Sequence, residues 1–289
     1  MKRKQELMTV TAVAVTLVCW ASAFAGIRAG LQGYGPGELA LLRFVTASAV
    51  LAALAWRRGM RLPALKDAPG IALSGFLGIT VYHVALNYGE MTVTAGAASL
   101  LIASVPVFTA LLAILILGER LPLRGWAGIA LSFSGIALIA LGEGGGVRFE
   151  PGSGLILLAA VGSSLYFIIQ KPYLKRYGAL QMTAFAIWTG TLFMLVWIPD
   201  MARQLIHAPL KATAAVVYLG VFPAALAYLT WTYALARQPA SRLMTFLYLN
   251  PALAIFIAWI WLGEIPNILV LIGGAVSVGG VVLVNIPLK

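Results

Sequence analysis

The sequence predicts an all-α integral membrane protein: ten transmembrane helices arranged as two inverted five-helix repeats. Three observations predict it. The 289 residues are 61% hydrophobic and only 10% charged, too few charges to cover a soluble core of this size. The apolar residues fall into runs of about 20, which at about 1.5 Å per residue match a hydrocarbon layer about 30 Å thick. The second half also repeats the first at an offset of 145 residues. Between Arg58 and Leu138, sixteen of 81 positions carry the same residue as their partner between Arg203 and Leu283.

The expected spans run in order over 8–29, 36–56, 69–89, 93–117, 122–141, 153–171, 179–199, 211–236, 240–262 and 266–287. The first follows Lys2-Arg3-Lys4 and contains Ala21-Ser22-Ala23, a pattern shared with cleaved leaders. It is read as retained, because cleavage would leave nine spans and strip one repeat of its first helix. The second carries Arg43 about a third of the way in, and the third carries His83 at its middle. The fourth and ninth are a matched pair: Pro106 and Pro251 break them at equivalent places, and Gly118-Glu119 and Gly263-Glu264 end them. The fifth and tenth collect small residues: Gly128, Ser132 and Gly135 in one, Gly273, Ser277 and Gly280 in the other. Spacings of four and three put each set on one helical face, where helices approach closely in lipid. That face is expected to be a packing seam within each half, with a dimer interface as the alternative. The sixth span ends at Lys171 beside Gln170.

The connector Gly142-Glu143-Gly144-Gly145-Gly146 divides the chain into a first repeat, 1–146, and a second, 147–289, within one membrane domain. Five spans is an odd number, so the second repeat enters the membrane from the opposite side. Charge gives the orientation. Fifteen lysines and arginines lie at one end of the spans, including Arg57, Arg58, Lys66, Arg120, Lys175, Arg176 and Arg237. Only Arg28, Arg148, Arg203 and Lys211 lie at the other. The basic end is expected in the cytoplasm, with both termini. The net charge of +11 is thereby explained as topology, and nucleic acid is not an expected partner. Cys19 is the single cysteine and has no partner for an intramolecular disulfide.

Internal repeats in an apolar chain are the mark of secondary transporters, which rock one repeat against the other around a midplane site. Trp20-Ala-Ser-Ala-Phe24, Leu42-Arg43-Phe44, and the helix running Ala95…Pro106…Gly118-Glu119 with its second copy resemble the drug/metabolite transporter superfamily. Within it the chain is similar to the ten-helix EamA-type exporters, and most of all to bacterial exporters of aromatic amino acids. The resemblance covers essentially the whole chain. It implies a central cavity, alternating access and export of small metabolites from a bacterial-type inner membrane.

Polar groups inside a membrane are costly, so each is a candidate for function. His83 shares a helical stripe with Thr80, Asn87 and Glu90, and its repeat partner is Tyr228. The plainer reading is a buried histidine satisfied by a backbone carbonyl. Arg43 needs a partner: a substrate carboxylate, the membrane surface reached by snorkelling, or helix ends near Glu38. Trp20, Tyr82, Tyr88, Tyr166, Trp188, Tyr228, Trp231 and Tyr248 are candidates to stack on a flat ring or an organic cation. Ser22, Ser99 and Asn250 complete the expected substrate-binding set. Gly78, Pro106, Pro223 and Pro251 are expected hinges, against the alternative of static kinks that shape a cavity.

The expected cargo is an aromatic or other hydrophobic amino acid, with amphiphilic cations as a second group. Membrane lipids surround the protein, which is expected as a monomer or homodimer. No cofactor and no metal are expected, since His207 lies in a loop away from His83. Paired membrane aspartates, H-E-x-x-H, Gly-x-Ser-x-Gly and Walker-type glycine loops do not occur, which argues against an enzyme and against ATP as energy source. A lipid-binding or scramblase-like protein is the alternative. Downhill flow needs less machinery than exchange or proton coupling.

Overall fold

In lipid, every backbone N–H and C=O must be satisfied inside its own segment, so an apolar run of this length has one economical solution, the helix. The computed structural model describes residues 2–117, 123–143, 150–235 and 246–285, and every regular element among them is helical. We label them α1 (Lys2–Gly30), α2 (Pro36–Arg57), α3 (Ala68–Gly75), α4 (Tyr82–Gly89), α5 (Ala95–Ile102), α6 (Val105–Leu117), α7 (Leu123–Glu143), α8 (Pro151–Phe193), α9 (Ile198–His207), α10 (Leu210–Val221), α11 (Ala227–Leu235), α12 (Asn250–Leu262) and α13 (Ile268–Asn285).

Among the described residues, seven helical stretches are long and apolar enough to cross a membrane. They are Leu7–Gly30, Pro36–Arg57, Leu65–Gly89, Ala95–Ile116, Leu123–Gly142, Pro151–Gln170 and Leu210–Trp231. Leu180–Phe193 and Leu195–His207, bent by 46°, form an eighth if taken as one span. Asn250–Leu262 and Ile268–Leu283 are apolar but shorter. The first of these covers only part of the expected span 240–262, because residues 236–245 lie outside the described set. Large side chains such as Trp56, Leu115, Trp259 and Ile260 are exposed. A surface of that kind needs lipid around it, and the chain is a multi-pass membrane protein.

The helices are interrupted at five informative places. α3 and α4 are joined by a π-helical turn, Phe76–Val81, and α10 and α11 by another, Phe222–Leu226. The two turns fall at equivalent places in the repeat. Gly78 lies in the first and Pro223 in the second, two of the expected flexible points. A π turn carries an extra residue per turn and leaves backbone carbonyls out of the regular ladder, as Pro223 does on the preceding turn.

Pro106 and Pro251 behave differently from expectation. They do not interrupt a helix interior. α6 begins at Val105 after a turn at 103–104, and α12 begins at Asn250 after a 3-10 turn, Leu247–Leu249. Each proline therefore sits in a first helical turn, where no ladder bond is lost. α8 also divides. Gly178 has φ 75° and ψ 164°, a conformation that favours glycine, and it separates the sixth expected span from the seventh.

Packing corrects the seam expected within each half. α7 lies along α13 in antiparallel contact between the halves. A Cβ on Gly135 would strike Gly273 and Ser277, one on Gly280 would strike Gly128 and Ser132, and one on Gly142 would strike Val270. The hydroxyls of Ser132 and Ser277, 145 positions apart, meet at 3.2 Å. Small residues attract their own repeat copies because only two such faces together bring backbones this close. Gly75 and Gly220, another repeat pair, also make matching contacts: Gly75 against Ala186 and Gly190 of α8, Gly220 against the Arg43 carbonyl and Thr46 of α2.

Candidate functional site

The seam between Gly220 and α2 presses α10 onto the backbone of Arg43 and leaves that side chain to face α4. Arg43 is 4% exposed. Its Cζ lies 5.3 Å from the ring centroid of Phe44, and the Phe44 ring is 4.5 Å from that of His83. Tyr82 closes the other side of His83, also at 4.5 Å and edge-on. The groups near enough to act on Arg43 electrostatically are Tyr228, Tyr82 and Glu90. Thus α2, α4 and α11, from both halves, converge on one guanidinium.

This group is under-satisfied. Nε and Nη1 of Arg43, both ring nitrogens of His83, Oδ1 of Asn87 and Oδ1 of Asn250 are buried without a hydrogen-bond partner among the described residues. Arg43 does not snorkel, and it makes no ion pair with Glu38 among the described residues. His83 has no backbone carbonyl to bond, which removes the plainer account of it. Orphaned polar atoms on this scale cost several kcal/mol if nothing fills the site. Asn87 is half committed, donating from Nδ2 to the Pro36 carbonyl at 2.9 Å. Thr80 is spent on the Gly190 carbonyl.

Beside the polar group stands an aromatic wall. Trp20 packs edge-on against Tyr228 at 5.7 Å and at a tilt against Trp231 at 5.3 Å. Its indole N–H donates to the Pro223 carbonyl at 3.2 Å, a carbonyl that belongs to the π turn. Tyr166 packs its ring against Gly78 of the other π turn, where a Cβ would overlap it. Trp188 lies at a tilt against Phe185, 6.0 Å between ring centroids, and donates to the Ser48 carbonyl at 3.3 Å. Trp20, Arg43, Tyr82, His83, Asn87, Tyr228 and Trp231 are therefore brought together, with Tyr166 and Trp188 behind them.

Other expected site residues stand apart. Ser22 bonds the Cys19 carbonyl and the Tyr218 hydroxyl, the latter at 2.6 Å, so it fastens α1 to α10. Ser99 donates back to the Gly96 carbonyl. Tyr88 is 42% exposed. The Tyr248 side chain lies outside the described residues. Phe44, missed as a site residue, was marked only by its place beside Arg43.

Charged clusters flank the site at each end of the bundle. At one end Arg28 donates from Nε to Glu264 at 3.0 Å, and from Nη1 to the carbonyls of Glu90 at 2.7 Å and Met91 at 3.3 Å. The second oxygen of Glu264 accepts the Ala95 N–H at 2.9 Å. At the other end Asp67 takes Arg176 and the Tyr177 hydroxyl, and that hydroxyl accepts the Ala64 N–H. No group of three or more metal-ligating side chains occurs among the described residues.

Comparison with known proteins agrees with this architecture. The EamA-like transporter family model matches residues 7–141 and again residues 150–286. An uncharacterized transporter of Bacillus subtilis, YdfC, is 44% identical over 279 residues, covering 96% of this chain and 91% of that protein. A protein of Streptantibioticus cattleyicolor named as a probable terminal-alkyne amino-acid exporter is 45% identical over 276 residues, covering 96% and 93%. The uncharacterized inner membrane transporter YedA of Escherichia coli K12 is 28% identical, covering 94% and 92%. A crystal structure of another protein, 22% identical, superposes with a TM-score of 0.63 over 96% of both chains and shares the fold.

Proposed function

We propose that this chain, which belongs to the EamA-like transporter family, exports hydrophobic, above all aromatic, amino acids through the site at Arg43. Its family and relatives are transporters rather than enzymes. The observation that carries the reading is the buried guanidinium with two unpartnered nitrogens under an aromatic wall. A substrate α-carboxylate completes Arg43 by charge-assisted hydrogen bonds. Its side chain then lies against Trp20, Tyr82, Tyr228 and Trp231, with His83, Asn87 and Asn250 as further hydrogen-bonding partners. An unpaired arginine repels organic cations, so amino acids are favoured over amphiphilic cations. The amino-acid cargo in one relative's name supports the same class.

The architecture we read behind it has ten spans, with α12 and α13 as the ninth and tenth. Two repeats, 1–146 and 147–289, are inverted about an axis in the membrane plane. The antiparallel pairing of α7 with α13 and the matched contacts of Gly75 and Gly220 support the inversion, because a two-fold axis relates each contact to its copy. Both termini lie in the cytoplasm of a bacterial-type inner membrane, so the Arg28–Glu264 end faces outward. The two π turns, at Gly78 and Pro223, adjoin the binding residues in each repeat and are the flexing points of alternating access. Flow is downhill, which needs less machinery than exchange or proton coupling.

The test is uptake of labelled phenylalanine into proteoliposomes. We expect saturable uptake that other hydrophobic amino acids inhibit and lipids do not. Folded protein that moves no amino acid, or that moves lipid between leaflets instead, overturns the reading.

A further inference from the structure

The Arg28 cluster contains a group that the transport site does not use. Glu90 is fully buried, and neither carboxyl oxygen has a hydrogen-bond partner among the described residues. Its own carbonyl, however, already holds Arg28 Nη1 at 2.7 Å. The guanidinium is bonded to the carboxylate of Glu264, which is partly exposed, and to the main chain of Glu90, whose side chain is fully buried. A buried carboxylate with no donor cannot remain ionised at acceptable cost, and it takes up a proton instead. The charged groups that act on Glu90 are Arg28 from α1, Glu264 from the loop after α12, and Arg43 from α2. Where α8 packs on the neighbouring Gly89 it presents Gly152 and Ile156, neither of which titrates.

We propose that Glu90 is a proton-binding site, separate from the substrate site, that sets the outer latch. With Glu90 protonated, Arg28 is left to Glu264, and Glu264 caps the Ala95 N–H at the start of α5. Those contacts fasten α1, α5 and the α12–α13 loop together, and with them the two halves. With Glu90 ionised, its carboxylate takes Arg28 by a side-chain rotation. Glu264 loses its ion pair and the outer end is released. A surface hollow of about 440 Å³ lined by Arg28, Gln32, Met91 and Glu264 opens onto the Arg28–Glu264 pair. The proton moves between Glu90 and water, and no other group changes charge.

The direction of the pH response identifies the carboxyl responsible. Ionising Glu90 opens the latch as pH rises, and an opening on acidification would exclude Glu90 as its cause. The naming of this end as outer rests on the topology proposed above, but the test needs neither that topology nor a substrate. Spin labels at Gln32→Cys and Ile265→Cys, both exposed positions, report the separation of α1 from the α12–α13 loop. The purified protein carries Cys19→Ser as well, so that the two labelled positions are its only cysteines. Between about pH 5.5 and about pH 8.5 we expect the population at longer separation to grow about fivefold or more. Glu90→Gln should hold the short separation throughout. A separation that ignores pH, one that lengthens on acidification, or a Glu90→Gln protein that tracks its parent overturns the proposal. The sign in the parent decides the matter even if that variant does not fold. Failure of phenylalanine uptake would leave this result untouched.

Discussion

Two arginines sit inside this helical bundle and are treated in opposite ways. Arg28, at the last turn of α1, spends its donors on Glu264, Glu90 and Met91. Arg43, deeper and on α2, leaves Nε and Nη1 bare although it is almost fully buried. Side-chain type is the same, although Arg28 keeps about a third of its side chain exposed and Arg43 almost none. What differs is whether the fold supplies the counter-charge. A satisfied arginine fastens helices; an unsatisfied one waits for a ligand.

That contrast breaks most sharply at Arg43 itself. Arg43→Gln should lower phenylalanine uptake by about 10- to 100-fold, the worth of a lost charge-assisted contact of about 1.5–3 kcal/mol. Stability to thermal unfolding in detergent should fall by no more than about 1 kcal/mol, because Nε and Nη1 have no hydrogen-bond partner among the described residues to strand. A large drop in melting temperature would instead make Arg43 a structural residue like Arg28.

At the other arginine the expectation reverses. Glu264→Ala strands Arg28 Nε and uncaps Ala95, and it should cost about 2 kcal/mol in unfolding measurements. Unchanged stability would remove the distinction between the two sites. Trp20→Phe sharpens the comparison on a smaller scale. It keeps the aromatic face but loses the bond to the Pro223 carbonyl, and it should cost about 1 kcal/mol with a severalfold rise in KM. Tyr88→Ala should change neither stability, within about 0.5 kcal/mol, nor uptake, since that ring stands outside the cluster.

Much of this was legible in the residues. Helicity followed from apolar length, and the family from the repeat and its Leu42-Arg43-Phe44 and Gly-Glu signatures. The stripe at three- and four-residue steps placed His83, Asn87 and Glu90 on one side of one helix, and they are buried together. Gly78 and Pro223 marked the two π turns by breaking the pattern at equivalent positions. The reading weakened wherever a partner lay far along the chain. Ser22 looked like a cavity residue because an intramembrane hydroxyl is rare, yet it bonds Tyr218, 196 positions on, whereas Ser99 bonds back within its own helical turn. Pro106 and Pro251 looked like interior kinks because one apolar run spans each, whereas each lies in the first turn of its helix, at Val105–Leu117 and Asn250–Leu262.

By itself, then, the sequence determined what short-range physics controls. The 3.6-residue period, the lack of water in lipid and the positions of proline and glycine dictate helices, breaks and faces within about one turn. Only the tertiary structure decided which faces meet. Ser132 finds Ser277, and Arg28 finds Glu264 across 236 positions. In lipid no hydrophobic force ranks one apolar face above another, so close backbone approach and the pairing of buried charges make that choice. It is a choice among surfaces that only the assembled bundle brings within reach, and Arg43 is left open by the same assembly.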